Sequence, residues 1–215
     1  MSYAPRMLER FVLLGMALAY SPLHAQPVPP SAPSPAAPAP RPATVRVLLQ
    51  TGEGSITVEL EKERAPVTTA NFLRYVDEKR LDGIVFYRAM KVAPGYGLVQ
   101  GGVRDPRRLL PRIAHEPTSR TGLSHVDGAI SMARHEPGSA TADFFITVGA
   151  MPAMDADPGQ PGDNLGFAVF GRVVEGMDVV RRILDAPTSP TEGEGVMKGQ
   201  MLASPVRILT ARRAQ

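Results

Sequence analysis

From residue 45 onward the chain runs in short apolar and polar alternations, broken every few residues by glycine, proline or aspartate. Ile56, Val58 and Leu60 alternate with polar partners, and residues 45–50 lie across Thr51-Gly52-Glu53-Gly54-Ser55 from them; together they predict a β-hairpin with one buried face. Ala65-Pro66-Val67 opens a helix, because proline suits a first turn. Val67, Ala70, Leu73 and Val76 then repeat at helical spacing, Phe72 widens the stripe, and Leu81-Asp82-Gly83 closes it. Further strands are predicted at 84–87, 129–133, 144–148, 167–174 and 205–210, with a second helix that Glu175-Gly176-Met177-Asp178 starts and that runs through Leu184. Residues 149–166 read as a long loop rich in Gly, Pro and Asp. Many short strands with two helices fit a mainly β fold, a closed antiparallel barrel capped by those helices.

The N-terminal 43 residues do not share this pattern. Arg6 and Arg10 precede or border an apolar run over 11–20, and Ser21-Pro22-Leu23-His24-Ala25 then breaks helix and ends in a small residue. A run this short suits a secretory leader better than a membrane span, which needs about 20 apolar residues. The reading is a signal peptide over 1–25, cleaved after Ala25, and a secreted or periplasmic protein with no stable membrane insertion after cleavage. Residues 26–43 carry eight prolines at 27, 29, 30, 33, 35, 38, 40 and 42. Each lacks a backbone donor and has its φ fixed, so the segment reads as an extended spacer rather than helix or sheet. The domain then spans 44–213.

Composition narrows the chemistry. There is no cysteine, which excludes a disulfide framework, a thiol nucleophile and cysteine-bound metal together. A formal charge of +3 is too slight and dispersed for a nucleic-acid partner. His115-Glu116-Pro117 and His135-Glu136-Pro137 are no zinc-protease motifs, because proline follows each Glu and no second His lies four residues on. Asp155, Asp157 and Asp163 resemble part of a calcium loop, but Gly166 stands where a bidentate Glu is needed. Gly193-Glu194-Gly195 lacks the Lys-Ser/Thr of a phosphate loop, and Ser55, Ser131 and Ser139 sit in no nucleophile elbow. No cofactor and no metal is expected.

The stretch from Phe86 to Gly102 remains. Phe86-Tyr87-Arg88 sets a permanent charge in a β-prone apolar run, an expensive place unless the charge is used or reaches water. Twelve residues later a carboxamide precedes two glycines, in Leu98-Val99-Gln100-Gly101-Gly102. Arginine has five fixed donors and keeps its proton, so it can polarise a substrate but not act as a base. This pattern resembles the active-site signature of the cyclophilins, barrel-shaped peptidyl-prolyl isomerases. The resemblance extends through Ala65-Pro66 with Asn71-Phe72, Ser131-Met132-Ala133-Arg134, Ser139-Ala140-Thr141 with Phe144-Phe145-Ile146, and Ala168-Val169-Phe170-Gly171-Arg172-Val173. Arg134 after Met-Ala, and Val174-Glu175-Gly176-Met177-Asp178, are similar to the bacterial periplasmic branch.

The resemblance implies a barrel of about eight strands and assigns roles by position. Arg88 would be catalytic, and Gln100 would orient the substrate carbonyl or Arg88 itself. Phe145, Leu98 and Met154 would hold the proline ring, and Ala133 and Arg134 would border the peptide backbone. Phe167 stands where a pocket His is usual, and Ala153 where a tryptophan is tied to cyclosporin binding. Four extra residues between Arg88 and Gln100 read as a lengthened loop, which brings Tyr96 or Gly97 to the usual pocket phenylalanine. Asp143 replaces a Gln before Phe144; a carboxylate there could pair with Arg88 and blunt it, so Asp143→Gln is expected to speed turnover. The partners implied are proline-containing polypeptides, bound by a monomer. The alternative to an enzyme is a catalytically weak proline-peptide binding module or chaperone.

Overall fold

The computed structural model describes residues 43–214. The leader over 1–25, and all but the last residue of the spacer over 26–43, lie outside the described residues.

Eight strands form the wall: β1 (Thr44–Thr51), β2 (Gly54–Glu61), β3 (Val85–Ala93), β4 (Tyr96–Gly102), β5 (Ala129–Met132), β6 (Phe144–Val148), β7 (Ala168–Glu175) and β8 (Met201–Arg213). Every pairing is antiparallel, and the order β1-β2-β7-β5-β6-β4-β3-β8 closes into a barrel. Closure leaves no free sheet edge. Alternate side chains point inward, so Val47, Leu49, Ile56, Val58, Leu60, Val99 and Ile146 are fully buried. Aromatic rings fill the centre: Phe72 meets Phe144 edge to face at 5.4 Å, and Phe86 meets Phe144 at 5.8 Å. Such geometry adds about 0.5–1.5 kcal/mol per pair beyond area burial.

Helix α1 (Pro66–Asp77) packs on β2, β7 and β8 and sends Phe72, Tyr75 and Val76 into this core. A short helix, α2 (Thr118–Thr121), is a single turn after Pro117. Helix α3 (Met177–Asp185) buries Val179, Val180, Ile183 and Leu184 against the barrel, leaving Arg181 and Arg182 outside. The sequence pattern predicts two helices and misses α2, because four residues are too few to show a period.

The lengthened loop is not a loop. Its extra residues extend β3 and β4 into a hairpin that turns at Pro94-Gly95. Lys91 Nζ donates to the carbonyls of Asp185 (3.2 Å) and Ala186 (2.8 Å), tying the hairpin to the C-terminal end of α3, where a cation meets unpaired carbonyls.

Candidate functional site

Strict alternation would put Phe86 and Arg88 on one face of β3, and so the charge in the barrel core. The register prevents this. Phe86 pairs with Gly101 and Arg88 with Gln100, so Tyr87 is an extra residue, a bulge. A bulge re-aims the residues that follow it. Phe86 stays fully buried inside, while Arg88 turns outward beside Leu98 and Gln100 of β4.

These side chains line a cavity of about 920 Å³ on the outer face of the barrel. Its apolar floor is Phe145 of β6, clustered with Leu98, Met151 and Met154. The Phe145 ring lies parallel to His125 at 5.7 Å and edge-on to Phe167 at 5.5 Å, so it is held from two sides.

Arg88 is half-buried and meets no carboxylate within 4.0 Å among the described residues. Its donors go to two carboxamides. Nη1 donates to Gln100 Oε1 at 2.7 Å; Nε and Nη2 donate to Gln200 Oε1 at 2.8 and 2.6 Å. Gln200 is anchored in turn, its Nε2 donating to the Val196 carbonyl and its own carbonyl accepting from the Ala89 amide. Neutral acceptors orient the guanidinium without cancelling its charge. Burial lowers the Arg88 pKa from its ordinary value, but arginine keeps its proton regardless.

Of the ten residues singled out in the sequence, nine line this cavity: Arg88, Leu98, Gln100, Ala133, Arg134, Asp143, Phe145, Met154 and Phe167. Tyr96 does not. It shares the outward face of β4, but its ring lies over Gly149, where any Cβ would come within 2.4 Å, and its hydroxyl donates to the Ala150 carbonyl at 2.9 Å. Arg134 lines the wall with its charge already paired: it grips both carboxylate oxygens of Asp163 at 2.9 Å and holds that carboxyl down, to about 2. Asp143 does not pair with Arg88. Its Oδ2 accepts from the Tyr87 hydroxyl at 2.7 Å, which removes the reason for expecting a gain from Asp143→Gln.

Gln200 was not legible, being 112 residues from Arg88 in a stretch without motif. Neither was His125. Its Nδ1 meets Asp155 Oδ1 at 2.6 Å and its Nε2 meets Ser131 Oγ at 3.0 Å, the connectivity of a nucleophilic triad. His125 and Ser131 are both fully buried, however, so no substrate reaches them; the group supports Phe145. Burial lowers the His125 pKa, against the opposing pull of Asp155. Its folded value therefore lies below the unfolded one of about 6.5, and acid favours the unfolded chain. Stability is expected to be full above pH 7 and to fall as pH drops below about 6.5. His125→Asn should flatten that decline in thermal melts at pH 7.5 and 5; an equal decline in the variant would place its cause elsewhere.

The barrel and slot are those of a known class. The family model described as cyclophilin type peptidyl-prolyl cis-trans isomerase/CLD matches residues 46–212. A peptidyl-prolyl cis-trans isomerase of Acinetobacter baylyi is 34% identical over 176 residues, covering 79% of this chain and 86% of the relative. Peptidyl-prolyl cis-trans isomerase A of Dickeya dadantii is 38% identical over 148 residues, covering 67% and 74%. A crystal structure of a Cryptosporidium parvum cyclophilin type isomerase superimposes with a TM-score of 0.61 at 19% identity, covering 80% of this chain and 99% of that one. The chain belongs to the cyclophilin-type peptidyl-prolyl cis-trans isomerases.

Proposed function

We propose that this isomerase acts on X–Pro bonds of secreted or periplasmic polypeptides, with Arg88 as its catalytic residue. Rotation about such a bond breaks no covalent bond; it must lose amide resonance, against a barrier of about 18–20 kcal/mol. The resonance-free prolyl nitrogen regains its lone pair and becomes an acceptor only in the transition state. A fixed donor aimed there lowers the barrier without stabilising the ground state equally. The observation that carries this reading is the uncancelled Arg88 guanidinium beside an apolar floor, Phe145 with Leu98 and Met154. Ala133 and Arg134 line the same cavity, which supports reading this edge as the border of the flanking peptide. A related crystal structure was obtained in the presence of the dipeptide Ala-Pro, which supports a proline ligand here. The location rests on the basic residues, apolar run and small residue of positions 1–25.

The test is a cis-to-trans assay of a short X–Pro peptide with the full chain. Acceleration above the spontaneous rate, which takes tens to hundreds of seconds, supports the reading. Binding without acceleration would select a proline-peptide binding module instead.

A further inference from the structure

One row of hydrogen bonds runs from the far wall of the cavity to the guanidinium. The Tyr87 hydroxyl donates to Asp143 Oδ2 at 2.7 Å; Gln100 Nε2 donates to the Tyr87 oxygen at 2.7 Å; Gln100 Oε1 accepts from Arg88 Nη1 at 2.7 Å. Gln100 is buried, and Tyr87 nearly so.

The direction of each bond follows from the ends of the row. Burial raises the Asp143 pKa from its ordinary value, yet at neutral pH the group is a carboxylate that can only accept, so the single hydroxyl proton of Tyr87 is committed to it. Toward Gln100 the hydroxyl then has only lone pairs, and the carboxamide must turn its NH₂ that way. Its oxygen is left facing Arg88, which has donors alone. A carboxamide is nearly the same shape after half a turn; the flipped form would set NH₂ against the guanidinium and lose the bond to Nη1.

Asp143 is built into its place. Gly102 has no side chain, and a Cβ there would fall 1.8 Å from Asp143 Oδ1, so only glycine leaves room for the carboxyl. Arg104 sits 4.7 Å over the Tyr87 ring and makes no ion pair with Asp143, which keeps the hydroxyl as its side-chain partner. We infer that Asp143, acting through Tyr87, fixes which way Gln100 faces and so keeps an acceptor against Arg88: it is a positioning residue for the guanidinium. This rests on the isomerase reading, in which Arg88 meets the substrate.

The experiment compares Tyr87→Phe, Asp143→Ala, the double variant and Asp143→Asn in the full chain. Peptide isomerisation is measured together with the side-chain NMR signals of Gln100 Nε2 and Arg88 Nε. Tyr87→Phe and Asp143→Ala should each lower kcat about 5-fold, with KM changed less than 2-fold and the Gln100 and Arg88 signals displaced or broadened. The double variant should be no worse than either single one, because both cut the same row. Asp143→Asn keeps an oxygen that can accept from Tyr87 and should stay within 2-fold of wild type. Unchanged Gln100 signals in both single variants, or losses that multiply in the double, would overturn the inference. A variant that fails to fold is replaced by the other single one, since each severs the row alone. If the wild type itself shows no acceleration, the isomerase reading fails, and the Gln100 signals still decide whether Asp143 sets the carboxamide.

Discussion

Arg88→Ala is expected to slow peptide isomerisation on the order of 10- to 100-fold, because the variant loses a charge-assisted hydrogen bond worth about 1.5–3 kcal/mol in the transition state. The loss should fall on kcat more than on KM, since the apolar floor of Phe145, Leu98 and Met154, proposed to hold the proline ring, is untouched. Arg88→Lys is an informative companion. Lysine keeps the charge but is a flexible point donor, without the fork that spans Gln100 and Gln200. Turnover between that of wild type and alanine would show that charge and orientation both contribute. Wild-type turnover in Arg88→Ala would remove the arginine from the mechanism.

That prediction depends on a position whose residue was legible and whose orientation was not. The alternation of Ile56, Val58 and Leu60 and the helical stripe of α1 report burial on one face, the continuous apolar runs at β6 and β7 report burial on both, and burial sets which elements form. Phe86-x-Arg88, by contrast, reads by alternation as two side chains on one face. Only pairing with β4 reveals that Tyr87 is the extra residue that turns Arg88 outward. Bulges arise between strands, so one strand's pattern does not contain them. Gln200 was hidden for a related reason: a carboxamide in a connecting segment carries no period, and its contact with Arg88 exists only after the barrel closes. The hairpin at 89–97 gave an ambiguous signal, because Pro94 and Gly95 mark a turn but do not say how far the strands reach toward it. Asp143 was rightly placed at the cavity and wrongly partnered. Proximity to Arg88 in the fold suggested an ion pair, whereas the Tyr87 hydroxyl is what the carboxylate meets.

Glu116→Ala should cost the most stability of any single polar substitution argued from this structure. The start of α1 has no local cap: Ala65 offers no side-chain acceptor, and Pro66 no donor. Glu116, with 1% of its surface exposed, closes it from 48 residues away. Oε1 accepts from the Val67 amide at 3.1 Å, and Oε2 from the Thr68 amide and hydroxyl, each at 2.7 Å. A carboxylate at the positive end of a helix dipole adds to these bonds. Alanine would strand two buried donors of Thr68 and the part-buried amide of Val67, at about 1–3 kcal/mol each. Partial relaxation leaves a net loss of roughly 3–5 kcal/mol, or a drop of about 10 °C in Tm for a domain of this size. Because α1 carries Phe72 and Tyr75 into the core, the loss should appear in the cooperative unfolding transition, not as local fraying. Glu116→Gln keeps one acceptor oxygen and should recover about half of the loss. Melting curves within 2 °C of wild type for Glu116→Ala would mean that water or a neighbouring carbonyl caps the helix instead.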